Sequence, residues 1–331
     1  MIGTRTPYRL SFVGGGTDLP AFCNEEPGVV ISVTIAKYVY FFLHPYYDET
    51  KHLIKYSRTE LVESIEAIQH PLVRCALKRV DLPGLDINAI ADIPAGTGLG
   101  SSSSFAVGLL HALYAQAGKF VSKEQLASEA SHIEMVELGE PIGKQDQYAA
   151  AYGGFNKITF LPTGMVKVEP IPLSRDAIDQ FRRHIMIFYT GQSRNARTVL
   201  RDQMKYLTSM AEKRLYLRSM RDLTDPFLAA LICGDMRTCG EILHESWQKK
   251  KELADGISNE SIDRYYETAL ATGAIGGKLL GAGGGGFLLF IVDLDKRESL
   301  RRAMAPLKEL DCNFDFFGSS IIFVEGGNVG S

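Results

Sequence analysis

Apolar and polar positions change their period several times along the chain, and each change marks an element. Near the start, Tyr8, Leu10 and Phe12 alternate with Arg9 and Ser11. This period of two predicts a half-buried strand with Arg9 on its polar side. Residues 29–35 and 38–43 are β-branched and aromatic runs and predict two paired strands. The spacing becomes helical over 60–80, returns to a strand over 85–91 and, past a loop over 92–100, predicts an Ala- and Leu-rich helix over 102–117. Ser122 with Gln125 three residues on is a capping-box pattern that opens another helix. Strands follow at 155–161 and 165–169.

Two prolines and mixed charge over 170–183 predict a boundary, which divides the chain into units 1–175 and 176–331. The second half opens on a strand at 185–189 and continues with three or four helices between Thr198 and Ala271. It closes with strands around 287–292 and 321–324 and a helix between them. Strands and helices mix without regular βαβ alternation, which predicts an α+β fold and argues against a doubly wound sheet.

Composition narrows the class. Of 331 residues, 45% are hydrophobic and 23% charged, which excludes a disordered chain, a coiled coil and a collagen-like fibre. A net charge of −3 offers no global basic field for nucleic acid or an anionic membrane. The five cysteines form no C-x-x-C pair and the seven histidines show no zinc spacing, a pattern that fits reduced thiols in the cytoplasm. The opening residues lack the apolar core of a signal peptide. The longest apolar stretch, 29–43, is interrupted by Lys37 and is too short to span a bilayer. The expectation is a soluble, cytoplasmic, two-domain protein, and composition is neutral between monomer and dimer.

Glycine is the one excess, and it clusters: 14–16 followed by Thr17 and Asp18, 94–104, and 281–286. In the middle cluster Pro94, Gly96, Gly98, Leu99 and Gly100 lead through Ser101, Ser102 and Ser103 into a helix. Glycines let a ligand approach the backbone, and the unpaired N–H groups of a helix start make an anion site for which phosphate is the usual occupant. No Gly-Lys-Ser/Thr closes the loop as a Walker A loop requires. The one literal G-x-G-x-x-G (Gly281, Gly283, Gly286) runs into a strand, so the dinucleotide mechanism fails there. Read alone, the middle loop is equally a capped helix start with no ligand. Glu134 and Glu137 lie near the apolar face set by Leu126, Ala130 and Ile133, where a carboxylate is costly unless paired or bound to a cation; an exposed helix end would also serve. Alone, Asp146 reads as a loop or N-cap aspartate and Arg9 as a solvated arginine.

Together the segments 7–18, 94–104 and 278–286 resemble, in order and spacing, the three motifs of the GHMP kinases, over nearly the whole chain. The resemblance implies an N-terminal α+β domain, a ferredoxin-like C-terminal domain and a cleft between them for ATP and substrate. It implies that Gly96 to Ser103 wrap the ATP phosphates and that Ser102 and Glu134 serve Mg²⁺. It also implies that Asp146 polarises or deprotonates the attacking hydroxyl, that Arg9 stabilises charge beside it, and that Asp18 binds a sugar hydroxyl. Gly281 to Gly286 would buttress the phosphate loop, with Gly283 and Gly284 bordering the substrate. Galactokinases carry a Glu-His pair just before the Thr-Asp of the first motif; Gly15 and Gly16 stand there, beside Thr17, and enlarge the pocket.

The form of 9–18, with 143–148 and 190–197, is most similar to the D-glycero-D-manno-heptose 7-phosphate kinases of that family. These form a 1,7-bisphosphate on the route to nucleotide-activated heptose. A phosphorylated sugar needs a cationic pocket, and Arg194 and Arg197, entering a helix start, are candidates for the distal phosphate; they are equally solvated helix charges. Lys144 is a weaker candidate. The alternatives are a fucokinase-like 1-kinase of a free sugar and, remotely, a non-catalytic ligand-binding relative.

Overall fold

The computed structural model describes residues 1–191, 199–202, 211–311 and 313–325. Two sheets organise it. The larger has the order β13-β1-β2-β5-β3-β4, from β1 (Ile2–Val13), β2 (Gly28–Pro45), β3 (His52–Lys55), β4 (Thr59–Val62), β5 (Leu85–Ala91) and β13 (Ser320–Val324). On β2 it also carries β6 (Phe155–Phe160) and β12 (Phe314–Asp315), and β7 (Val166–Pro170) pairs with β6. The smaller is antiparallel, β11-β8-β10-β9, from β8 (Ile185–Tyr189), β9 (Ala274–Leu279), β10 (Phe287–Val292) and β11 (Lys308–Glu309). The helices are α1 (Pro20–Cys23), α2 (Pro71–Val80), α3 (Ser101–Gln116), α4 (Lys123–His132), α5 (Gln145–Tyr152), α6 (Arg175–His184), α7 (Ala211–Asp222), α8 (Thr224–Cys233), α9 (Met236–Lys251), α10 (Glu260–Ala271) and α11 (Arg297–Ala303). The fold is the mixed α and β architecture expected.

Several elements depart from the sequence reading. β1 is buried on both faces, because α3 covers one side, where Ser104 Oγ donates to Pro7 O at 2.9 Å. Phe12 meets Phe181 of α6 and Phe227 of α8 on the other. The two runs at 29–35 and 38–43 are halves of the single strand β2, separated by an irregularity opposite Pro7 and Tyr8. The helical spacing over 60–80 divides into β4, a 3₁₀ turn (Ile65–Ala67) and α2. His70 is extended because Pro71 follows it, so the helix starts no earlier than Pro71. Ser122 accepts the Gln125 N–H at 3.1 Å as expected, but the Gln125 side chain bonds Glu129 instead of closing the box.

The sheet pairing also crosses the boundary expected at 175. Strands β12 and β13, which a division at 175 assigns to the second unit, hydrogen-bond to β2 and β1 in the large sheet. The reason is local: Ala36 N donates to Asn313 O at 2.7 Å where β2 is irregular, and the edge of β1 pairs with β13. No described helix is long and apolar enough to cross a membrane.

Candidate active site

The loop before α3 is built from left-handed glycines. Gly98 has φ +84°, and a Cβ there would lie 2.4 Å from Leu280 O. Gly100, with φ +76°, is the residue before α3 and offers no side-chain cap, so the first-turn N–H groups of that helix have no capping group. The third glycine cluster presses on the same loop. A Cβ on Gly281 would meet Gly98 Cα at 2.5 Å, and one on Gly286 would meet Thr97 O at 2.3 Å. Only residues without side chains let these two backbones approach so closely.

Across this loop stands a carboxylate–guanidinium pair. Arg9 Nε and Nη2 each donate to one oxygen of Asp146 at 2.8 Å, and Nη1 donates to Gly98 O at 2.7 Å. Arg9 is 4% exposed, so its expected solvent side is in fact the floor of the site. Its buried charge is met by a bidentate partner and a carbonyl.

Glu134 lies in a π-helical turn, Ile133–Glu137, that continues α4, a widening common at functional sites. Ser102 Oγ donates to Glu134 Oε1 and Gln147 Nε2 to Oε2, both at 2.6 Å. Burial pushes the Glu134 carboxyl above its ordinary range, against hydrogen bonds from Ser102, Gln147 and Ser103. Glu137, by contrast, reaches outward to Arg79.

Asp18 is also buried. It accepts from Gly16 N at 3.2 Å, Gln145 N at 3.2 Å and Gln145 Nε2 at 3.1 Å. Burial, then the charge of Asp146, push its carboxyl up to about 6. Gly143 touches it so closely that a Cβ would fall 2.0 Å from Asp18 Oδ2.

These groups surround one cavity of about 270 Å³. Of the expected residues, Arg9, Asp146, Glu134, Asp18, Gly15, Gly16, Gly96, Gly98, Gly100, Ser101, Ser102, Ser103 and Gly283 line it. Pro94, Leu99, Thr17, Lys144 and Gly284 do not. Pro94 closes the loop turn by accepting from Thr97 Oγ1, and Leu99 is fully buried in the core. Thr17 donates to Gly14 O at 2.7 Å, and Gly284 N is tied to Ile257 O at 2.9 Å. Lys144 turns away to donate to Gly164 O at 3.2 Å. Arg194 and Arg197 lie outside the described residues.

Among the lining residues that escaped the sequence reading are Ser11, Gln145, Lys250 and Lys278. Ser11 Oγ donates to Gln145 Oε1 at 3.0 Å and so steadies the amide that holds Asp18. Lys250 donates to Gly281 O, and Lys278 to Phe12 O at 2.6 Å. Lys278 begins the third motif and was visible in the sequence, but nothing there marked it as buried.

An uncapped glycine-wrapped helix start, facing a fixed carboxylate across one cleft, suits an enzyme that moves a phosphoryl group. Comparison with known proteins gives the family. The N-terminal GHMP kinase model matches residues 64–154 and the C-terminal one residues 227–307. A D-glycero-alpha-D-manno-heptose 7-phosphate kinase of Campylobacter jejuni is 30% identical over 95% of this chain and 96% of its own. The bifunctional fucokinase/GDP-fucose pyrophosphorylase of Arabidopsis thaliana is 29% identical over 92% of this chain and 31% of that longer one. Among solved structures, a D-glycero-D-manno-heptose 1-phosphate kinase from Bacteroides thetaiotaomicron superposes with a TM-score of 0.82 at 24% identity, over 98% of this chain and 100% of that one. The chain belongs to the GHMP kinases, enzymes that use ATP as phosphate donor.

Proposed function

We propose that this ATP-dependent sugar kinase phosphorylates the anomeric hydroxyl of D-glycero-D-manno-heptose 7-phosphate to the 1,7-bisphosphate, a step toward nucleotide-activated heptose. The observation that carries the reading is the match along nearly the full length of both chains to the Campylobacter jejuni enzyme. The cleft is consistent with it. Gly15 and Gly16 present no side chains to the sugar end, and a Cβ on Gly15 would meet only Ser11 Oγ, at 3.5 Å.

In this reading the sugar hydroxyl lies against Asp146 and the nucleotide phosphates against the N–H groups of 96–103. The hydroxyl oxygen bonds to the γ-phosphorus as the bond to the β–γ bridging oxygen breaks and ADP leaves. The hydroxyl proton passes to Asp146. Both Asp146 oxygens accept from Arg9, yet each keeps a further lone pair for the sugar. Arg9 fixes the carboxylate and, through Gly98 O, couples it to the phosphate loop.

The residues also fit Mg²⁺. Ser102 Oγ and a Glu134 oxygen, both hard donors, stand 2.6 Å apart, and the neighbouring Gln147 Oε1 is buried with no hydrogen-bond partner among the described residues. When bound, Mg²⁺ supplies neutralisation of phosphate charge.

The test is ADP release with Mg·ATP against heptose 7-phosphate, fucose, galactose, mannose and mevalonate, with Asp146→Asn alongside. Turnover confined to the heptose phosphate and lost in the variant is expected. Turnover with fucose or another free sugar at equal kcat/KM overturns the acceptor and leaves the kinase.

A further inference from the structure

Lys250, on the last turn of α9, and Lys278, on β9, both line the cleft and are 7% and 2% exposed. Two ammonium groups out of water are costly unless an anion faces them. Among the described residues neither forms an ion pair with a carboxylate, and the hydrogen-bond partner each shows is a single backbone carbonyl, Gly281 O and Phe12 O. An ammonium has three donors, so each retains hydrogen-bonding capacity.

The surroundings increase the excess. Arg9 is the third buried cation of the cluster, and its guanidinium is already taken up by Asp146 and Gly98 O. Lys250 faces Arg9, Asp18 and Asp146, and Lys278 faces Lys250 and Arg9, so three basic groups stand against two carboxylates, one bound to Arg9 and the other held by three N–H groups. Burial, then Arg9, bring the Lys250 ammonium down to about 8. Burial, Lys250 and Arg9 lower Lys278 well below its ordinary value. A cation destabilised in this way is restored by an incoming anion.

We infer that Lys250 and Lys278 form a phosphoryl-binding subsite of the cleft, incomplete until a ligand phosphate lies between the third glycine cluster and Arg9. Two sources share that chemistry: the γ-phosphate of the nucleotide and a phosphate already carried by the acceptor. The second source rests on the acceptor reading above; the subsite itself does not.

Lys250→Met and Lys278→Met, made separately, test it. With the γ-phosphate as source, either variant loses at least tenfold in affinity for a non-hydrolysable ATP analogue while ADP affinity stays within twofold. With the acceptor phosphate as source, KM for heptose 7-phosphate rises at least tenfold while that for ATP is unchanged. Melting without ligand adds a readout that a merely structural lysine would not give. Removing an unpaired buried charge should leave Tm equal or higher, and a lysine that only packs the fold should lower it. Changes below twofold in every affinity, or equal losses for the ATP analogue and ADP, overturn the subsite. If the wild-type enzyme does not turn over heptose 7-phosphate, the acceptor reading falls alone, and the comparison of analogue with ADP still decides the lysines.

Discussion

Arg9 and Asp146 are joined by two parallel hydrogen bonds of 2.8 Å, and the third arm of Arg9 reaches Gly98 O. The carboxylate is therefore fixed to the same loop that presents the helix start. Replacing Asp146 by Asn keeps the shape and removes the proposed proton acceptor. The expected result is a fall in kcat of roughly 10²–10⁴-fold with ATP affinity preserved. A variant with near-normal kcat would show that positioning alone carries the reaction.

Asp18 yields a prediction about pH. Its folded pKa, about 6 against an ordinary 3.8, is raised, so burial favours the neutral acid. Its contribution to stability is complete below about pH 4 and declines as pH rises through about 6. Asp18→Asn should thus match the wild type near pH 4 and exceed it at pH 7.5, by on the order of 3 kcal/mol at most. Melts across this range check the sign; an advantage that shrinks as pH rises would contradict it.

Gly96 and Gly98 are a matched pair. Both have positive φ, but a Cβ on Gly96 has nothing within 4 Å, whereas one on Gly98 meets Leu280 O at 2.4 Å. Gly96→Ala should cost about 1–2 kcal/mol from the backbone alone. Gly98→Ala should cost more and also raise KM for ATP, because Leu280 or the loop must move. Denaturant titration of the two variants, with their nucleotide KM values, reads the difference.

Glu134→Gln retains the shape and an acceptor for Ser102 while removing the charge. If Glu134 serves the metal, the Mg²⁺ concentration for half-maximal rate should rise about tenfold or more. Binding of metal-free ATP should not change. An unaltered Mg²⁺ requirement would return Glu134 to a purely structural role.

Much of this site could be read from the sequence because its chemistry is local. The glycine-to-serine entry into α3 and the Ser122 cap depend on neighbours a few residues away. The strand at 185–189 and the helix near 102–117 likewise follow from period alone. What stayed hidden depends on distant chain. Arg9 reads as solvated because alternation shows which face of β1 is polar but not that α5 will bring Asp146 against it. Lys250 sits in the run Lys249, Lys250, Lys251, which resembles an ordinary basic helix end; only the packing of α9 against the third glycine cluster turns the middle one inward. Nothing in the sequence marks Gln145 as a partner of Asp18, although it supplies two of the three N–H groups that hold that carboxylate.

The return of β13 to β1 has a consequence for biosynthesis. Thr6 and Ser319, whose hydroxyls meet at 2.8 Å, are 313 residues apart. At translation rates of about 5–20 residues per second, β1 leaves the ribosome roughly 15–60 s before its edge partner exists. During that interval the strand carrying Arg9 has an open edge, the kind of template on which nascent chains pair wrongly. A ribosome stalled before residue 320 would therefore release a chain with most of its sheet assembled and its first strand unguarded.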